Sequence, residues 1–207
     1  MATTTFKQLK NWFARHIGET DYTAVDSTGE ALVNDAYKEL SSRFPFECNK
    51  KLASLALSAN VVTLPSDFDY AHATEVKVYS YATTTKTEYR NVGLDEVSRF
   101  STTDFVYSLD NENDRLKSNI ASSTVQMTYY AIPSDLAGNA DTTKFPVPRA
   151  ISALASGYHW EGVEGEEGRA PEKFKLADVL LEEAVMRNKT QRKFGLRYRT
   201  PMAQGKN

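Results

Sequence analysis

Hydrophobic and polar positions divide the chain into three stretches of different period. In the first, Phe6, Leu9, Phe13 and Ile17 recur at intervals of three and four. That spacing puts them on one face of a helix that Gly18 can end in a left-handed conformation. The following segment, DSTGEALVNDAYKELSSRFPF, predicts a second helix. Ser27 and Glu30 stand at capping-box spacing, Leu32, Ala36 and Leu40 form a stripe, Val33, Tyr37 and Phe44 widen it, and Pro45 stops it.

The period changes after Cys48. LASLALSANVVTLPSDF alternates Leu52, Leu55 and Leu57 with small or polar residues, turns at Ser58-Ala59-Asn60 and resumes at Val61, Val62 and Leu64, which predicts a hairpin. ATEVKVYSY, KTEYRNV and STVQMTYYAI are rich in Val, Thr and Tyr and predict further strands. LDEVSRF predicts one short helix, and DNENDR a polar, solvated turn.

Helical period returns in the last third. Pro146 and Pro148 suit a helix entry, where a missing amide hydrogen costs nothing, and the apolar run ISALASGYHW follows. EGVEGEEG predicts an exposed loop between helices. Pro171 opens the next helix, with Phe174, Ala177, Leu181 and Ala184 on one face and Leu176 and Leu180 widening it. Beyond Met186 the chain carries basic residues and no acidic ones.

Together these elements predict an α+β fold: a four-helix bundle, two helices N-terminal and two C-terminal, with an inserted antiparallel β subdomain and an extended basic C-terminal arm. The expected divisions are residues 1–47 for the first helices, 48–145 for the β-rich subdomain, 146–190 for the last helices and 191–207 for the arm.

Composition adds limits. With 207 residues, 41% hydrophobic and 25% charged, the chain is expected to fold as a globular protein, and a net charge of −2 gives no global pull toward nucleic acid or membrane. Cys48 is the single cysteine, which excludes an internal disulfide and fits a reducing compartment. No apolar run has membrane-spanning length and the N-terminus lacks a secretory core, so a soluble protein made in a cytoplasm is expected.

Candidate chemistry is sparse. His16, His72 and His159 lie in separate segments without metal-ligand spacing, and no nucleophile-elbow, P-loop or dinucleotide motif occurs. Asp67 and Asp69 are too few for a calcium loop and suit a turn after Pro65 in which they accept backbone amide hydrogens and Phe68 points inward. No catalytic residue, metal or cofactor is expected, and no enzymatic activity. The basic segment is the charge feature that stands out: Arg187, Lys189, Arg192, Lys193, Arg197 and Arg199 interleave with Phe194 and Tyr198. That mixture suits a solvated tail, an arm laid on an acidic protein neighbour, or contact with nucleic-acid phosphates.

Three stretches, GEALVNDAYKELSSRFPFECNKK, VVTLPSDFDYAHATEVKV and TVQMTYYAIPSDLAGNADTTKFPVPRAISALASGYHW, resemble the head-to-tail connector proteins of tailed bacteriophages. This group of adaptor or head completion proteins includes tail tubular protein A, and the order of elements matches over about residues 4 to 190. The carrying motifs are Leu64-Pro65 with Asp67-Phe68, and Tyr129-Tyr130 with Pro133. The resemblance implies a structural virion protein at the head–tail interface, assembled in the host cytoplasm. It implies a ring of identical copies, typically twelve, between portal protein and tail or nozzle proteins, with DNA passing through the channel and no membrane partner. Within it, Arg187, Arg192, Lys193, Phe194, Arg197, Tyr198 and Arg199 are expected to dock on the portal or a neighbouring copy. Tyr79, Tyr81, Tyr89 and Tyr107, with Tyr129 and Tyr130, are expected on a tail-facing β platform. The alternative is a DNA-contacting virion or packaging protein that uses the basic tail.

Overall fold

The computed structural model describes residues 3–82, 85–121 and 123–197. The chain divides into two compact units, Met1–Leu40 with Asp135–Asn207, and Ser41–Ser134.

In the first unit, a two-residue strand β1 (Thr4–Thr5) pairs antiparallel with β9 (Thr142–Thr143) and leads into α1 (Phe6–Ile17). A capping box starts α1: the Gln8 amide donates to Thr5 Oγ1 and the Thr5 amide to Gln8 Oε1. Gly18, at φ 92°, closes it in the left-handed conformation expected. Phe6, Leu9 and Phe13 are buried along its inner face.

The second helix, α2 (Ser27–Ser42), starts differently from expectation. Its cap is Asp26, whose Oδ1 accepts from the Gly29 amide at 2.8 Å, while Glu30 reaches away to the buried Lys10 ammonium at 2.6 Å. A buried cation without a partner costs several kcal/mol, far more than one exposed cap bond returns, so Lys10 takes the carboxylate. Asn34 mimics a peptide unit on the same helix. It donates from Nδ2 to the Leu136 carbonyl at 3.1 Å and accepts the Leu136 amide on Oδ1 at 2.9 Å, while Tyr37 meets Phe145 edge-on.

Two more helices, α3 (Pro148–Glu161) and α4 (Ala170–Arg197), follow. Pro148 stands at the first helical position of α3, and the glutamate-rich turn separates the two helices as expected. α3 packs on both α1 and α4. Ser152 ties it to α1 through a buried bond from its hydroxyl to the Leu9 carbonyl, 3.0 Å.

The second unit holds β2 (Lys50–Ala56), β3 (Val61–Thr63), β4 (Lys77–Ala82), β5 (Thr85–Asn91), β6 (Val106–Asp110), β7 (Arg115–Ser118) and β8 (Thr124–Tyr130). They form one sheet in the order β2-β8-β4-β5-β6-β7-β3, antiparallel except for the parallel β5–β6 pair. Its edge strands, β2 and β3, are consecutive in the chain and joined by a tight turn in which Ala59 and Asn60 take φ of 48° and 72°. The sheet is therefore nearly closed around a core of Leu57, Leu64, Val78, Leu116, Val125 and Met127.

This architecture corrects the expected fold class. The protein is mixed α/β, with a nearly closed seven-stranded sheet as its largest element, and not a four-helix bundle with an inserted antiparallel β subdomain. Among the described residues, no interface comparable to α3–α1 or α3–α4 joins α2 to another helix. A hydrophobic stripe declares that a face is buried but not by what; for α2 the cover includes the 135–145 segment. Residues 191–197 continue α4 rather than forming an extended arm, as their Lys, Arg, Gln and Leu content favours. The expected hairpin reduces to its turn, because beyond the Ser58–Val61 bridge β2 pairs with β8 and β3 with β7. The helix expected at LDEVSRF is a single 3₁₀ turn, Val97–Arg99.

Candidate interaction surfaces

The two short motifs of the sheet unit fold against each other. Leu64 is buried, and the chain turns at Pro65, whose carbonyl accepts the Phe68 amide. Phe68 enters the core as expected and stacks on Tyr129, ring centroids 5.9 Å apart. The backbone continues the join: Phe68 bridges Ala131, the Asp69 amide donates to the Tyr130 carbonyl, and the Ile132 amide to the Asp67 carbonyl. Asp69 accepts from the Ala71 amide at 3.0 Å, the role expected for an aspartate in this turn. Asp67 instead accepts from Tyr129 Oη at 2.8 Å and from Lys51 Nζ at 2.5 Å. Burial, the largest influence on Asp67, favours the neutral acid, but the bonds from Lys51 and Tyr129 and the Lys51 charge together hold its carboxyl below the ordinary value. Burial, then the bond to Asp67, pushes Tyr129 up to about 12.

The four platform tyrosines occupy different environments. Tyr89 and Tyr107 belong to the buried core, and Tyr107 donates from its hydroxyl to the Val76 carbonyl at 2.9 Å. Burial, with the Glu88 charge adding, raises its phenol to about 12. Tyr79 and Tyr81 lie on the opposite face of the sheet, edge-to-face at 5.6 Å. There Lys86 covers the Tyr79 ring at 4.0 Å and Lys77 faces Glu88 at 3.6 Å. Tyr81, 55% exposed, is open to solvent, as is Leu52 on β2.

The helical unit carries a second surface that sequence reasoning did not single out. Two adjoining hollows of about 360 and 410 Å³ share Trp12, Arg149 and Leu180. Arg15, His16 and Leu176 line one; Pro146, Val147, Pro148, Glu183 and Arg187 line the other. The Arg149 guanidinium lies over the Trp12 ring at 5.6 Å. Burial, then the charge of Lys173, lowers His16, which keeps it neutral near pH 7, so the positive charge comes from the three arginines. α4 supplies the apolar wall because it has two apolar faces. Ala177, Leu181 and Ala184 are buried, whereas Leu176, Val179 and Met186 are exposed. Leu176 thus belongs to the outer face and does not widen the core stripe. The signal was in the sequence, as a second run at helical spacing beside the first.

Of the basic segment, Arg187 lies in this groove and donates to Glu183 Oε2 at 3.2 Å. Arg192, Lys193, Phe194 and Arg197 fall on the last turns of α4, where the backbone alone is described. Tyr198 and Arg199 lie outside the described residues.

His159, His72 and Cys48 are each packed within local structure. His159 meets Phe13 and Trp160 edge-on, and His72 is buried 3.8 Å from Asp69 and edge-on to Tyr130. Cys48 is half-buried with its thiol pushed up by burial. Among the described residues no three metal-ligating side chains cluster, and no helix is long and apolar enough to cross a membrane.

The groove is thus basic around an apolar floor, and the Tyr81 face of the sheet is exposed. The sequence matches the family model of the SU10 adaptor protein over residues 4–199, and the chain belongs to that family of phage head–tail adaptors. It is therefore a phage virion component that interacts with head and tail components. No curated protein matches the chain.

Proposed function

We propose that the protein forms the adaptor ring between portal and tail, extends the DNA channel and offers the docking platform for tail components. The family match, which spans nearly the whole chain, carries this reading. The ring is built from identical copies, twelve being the number expected, and it assembles in the host cytoplasm. Its role is structural and not catalytic. The exposed groove beside α4 and the Tyr81 face of the sheet are two chemically different surfaces, which suits a subunit that contacts unlike neighbours. Closed assembly multiplies contacts that are individually weak.

The test is electron microscopy of the purified protein with and without purified portal rings of the same phage. An added ring of density on the portal, with little affinity for free duplex DNA, is the expected result. Failure to bind the portal, together with duplex DNA binding that weakens steeply with salt, overturns this reading in favour of the DNA-contacting alternative.

A further inference from the structure

We infer that the groove formed by Trp12, Arg15, Arg149, Leu180 and Arg187 receives the Glu161–Gly168 turn of a neighbouring copy. This inference rests on the ring reading and specifies one of its subunit contacts. Three observations carry it.

The first is charge. The groove presents three arginines, of which Arg187 is engaged by Glu183, around an apolar floor. The turn contains Glu161, Glu164, Glu166 and Glu167. Arg169 pairs with Glu166 at 2.7 Å and otherwise lies over Trp160, while Glu161 and Glu164 are exposed. The two surfaces are thus opposite in sign.

The second is shape. Gly162, Gly165 and Gly168 strip side chains from the turn, Gly165 takes φ 84°, and a β-carbon at Gly165 or Gly168 meets nothing within 4 Å. A slim backbone can enter a groove that bulkier residues would bridge.

The third is placement. The groove runs from Pro148 and Arg149 at the N-terminal end of α3 to Arg15, His16 and Leu176, and the turn lies at the C-terminal end of the helix. At about 1.5 Å per residue the Arg149 end of the groove is roughly 18 Å from Glu161 along the helix. A contact between the turn of one copy and the Arg149 end of the groove of the next repeats head to tail, the heterologous arrangement that forms a ring when its rotation closes.

The test uses four full-length proteins: wild type, Arg15→Glu with Arg149→Glu, Glu161→Arg with Glu164→Arg, and the chain with all four changes. All four positions are exposed, and circular dichroism melts check that the fold is kept. Self-association is read by native mass spectrometry and sedimentation, alone and on portal rings. Each double reversal alone is expected to weaken ring formation roughly tenfold or more. The fourfold reversal restores it, and so does mixing the two double variants, since each groove then meets a turn of opposite charge.

Rings formed equally well by every variant overturn this contact and leave the ring reading standing. A wild-type chain that forms no ring, alone or on the portal, overturns the ring reading and this contact with it. Lost portal binding or lost duplex DNA binding with self-association unchanged assigns the groove to that other partner and overturns the inference.

Discussion

Phe174 rests its ring on the bare backbone of Gly157. A β-carbon on Gly157 falls 2.3 Å from Phe174 Cε1 and 2.4 Å from Cδ1, a separation no packed carbon tolerates. A side chain at position 157 therefore forces the Phe174 ring to move, and Tyr158 flanks the same ring with centroids 5.7 Å apart. Gly157→Ala is expected to destabilise the protein by about 1–3 kcal/mol, as overpacking does. Gly168→Ala, with open space at its β-carbon, serves as the control. Matching urea midpoints for the two variants contradict this account.

Asp67 gives the sheet unit an acid limit. Its carboxyl titrates below the ordinary 3.8, so the stabilisation from Lys51 and Tyr129 is present above that value and is lost as pH falls through the lowered one. Tyr129 works in the opposite sense. Raised from 10 to about 12, it contributes fully below pH 10 and loses that contribution as pH rises toward 12. Tyr129→Phe is expected to cost about 0.5–1.5 kcal/mol at neutral pH and to shift the acid limb of the stability profile upward. Denaturant unfolding between pH 2 and 7 checks it (roughly spanning the carboxylate range), and an unchanged acid limb counts against the Tyr129–Asp67 bond.

Asn34 ties α2 to the backbone of Leu136 with two bonds, as a peptide unit does in a ladder. Removing the side chain by Asn34→Ala leaves both Leu136 groups without this partner, at an expected cost of about 1–3 kcal/mol. Hydrogen exchange reads the local effect: the Leu136 amide should exchange faster even under conditions where the core of α3 keeps its protection. Uniform acceleration of all amides points to global destabilisation alone.

Truncation after Met186 removes Arg187 and the rest of the basic segment while keeping the buried residues Ala177, Leu181 and Ala184 of α4. The shortened chain is expected to remain folded, with a cooperative thermal transition, and to lose recovery with portal rings in co-sedimentation. Normal recovery contradicts a docking role for residues 187–207.

Much of the local structure was legible. The face of α1 through Phe6, Leu9 and Phe13, the glycine stop at Gly18, the proline entry to α3 and the strands around Val78, Tyr89 and Met127 all follow from period and from the few residues with special backbone geometry. β6 and β7 carry no legible signal: they are five and four residues long, too short for period-2 alternation to stand out beside the polar turn that joins them. The two-residue pair β1–β9 gave even less to read.

The family resemblance rested on Leu64-Pro65-x-Asp67-Phe68 and Tyr129-Tyr130, which the sequence separates by about 60 residues and the fold joins through Asp67–Tyr129 and Phe68–Tyr129. What the sequence by itself determined is where the chain coils, extends and turns, because those choices depend on neighbours three or four positions away. Which surface covers each apolar face was decided only in three dimensions. β2 chooses β8 over β3, α2 is tied to Leu136, and Leu176 stays outside while Leu181 goes in, since such pairings compare the burial gained against every alternative partner at once and no local pattern carries that comparison.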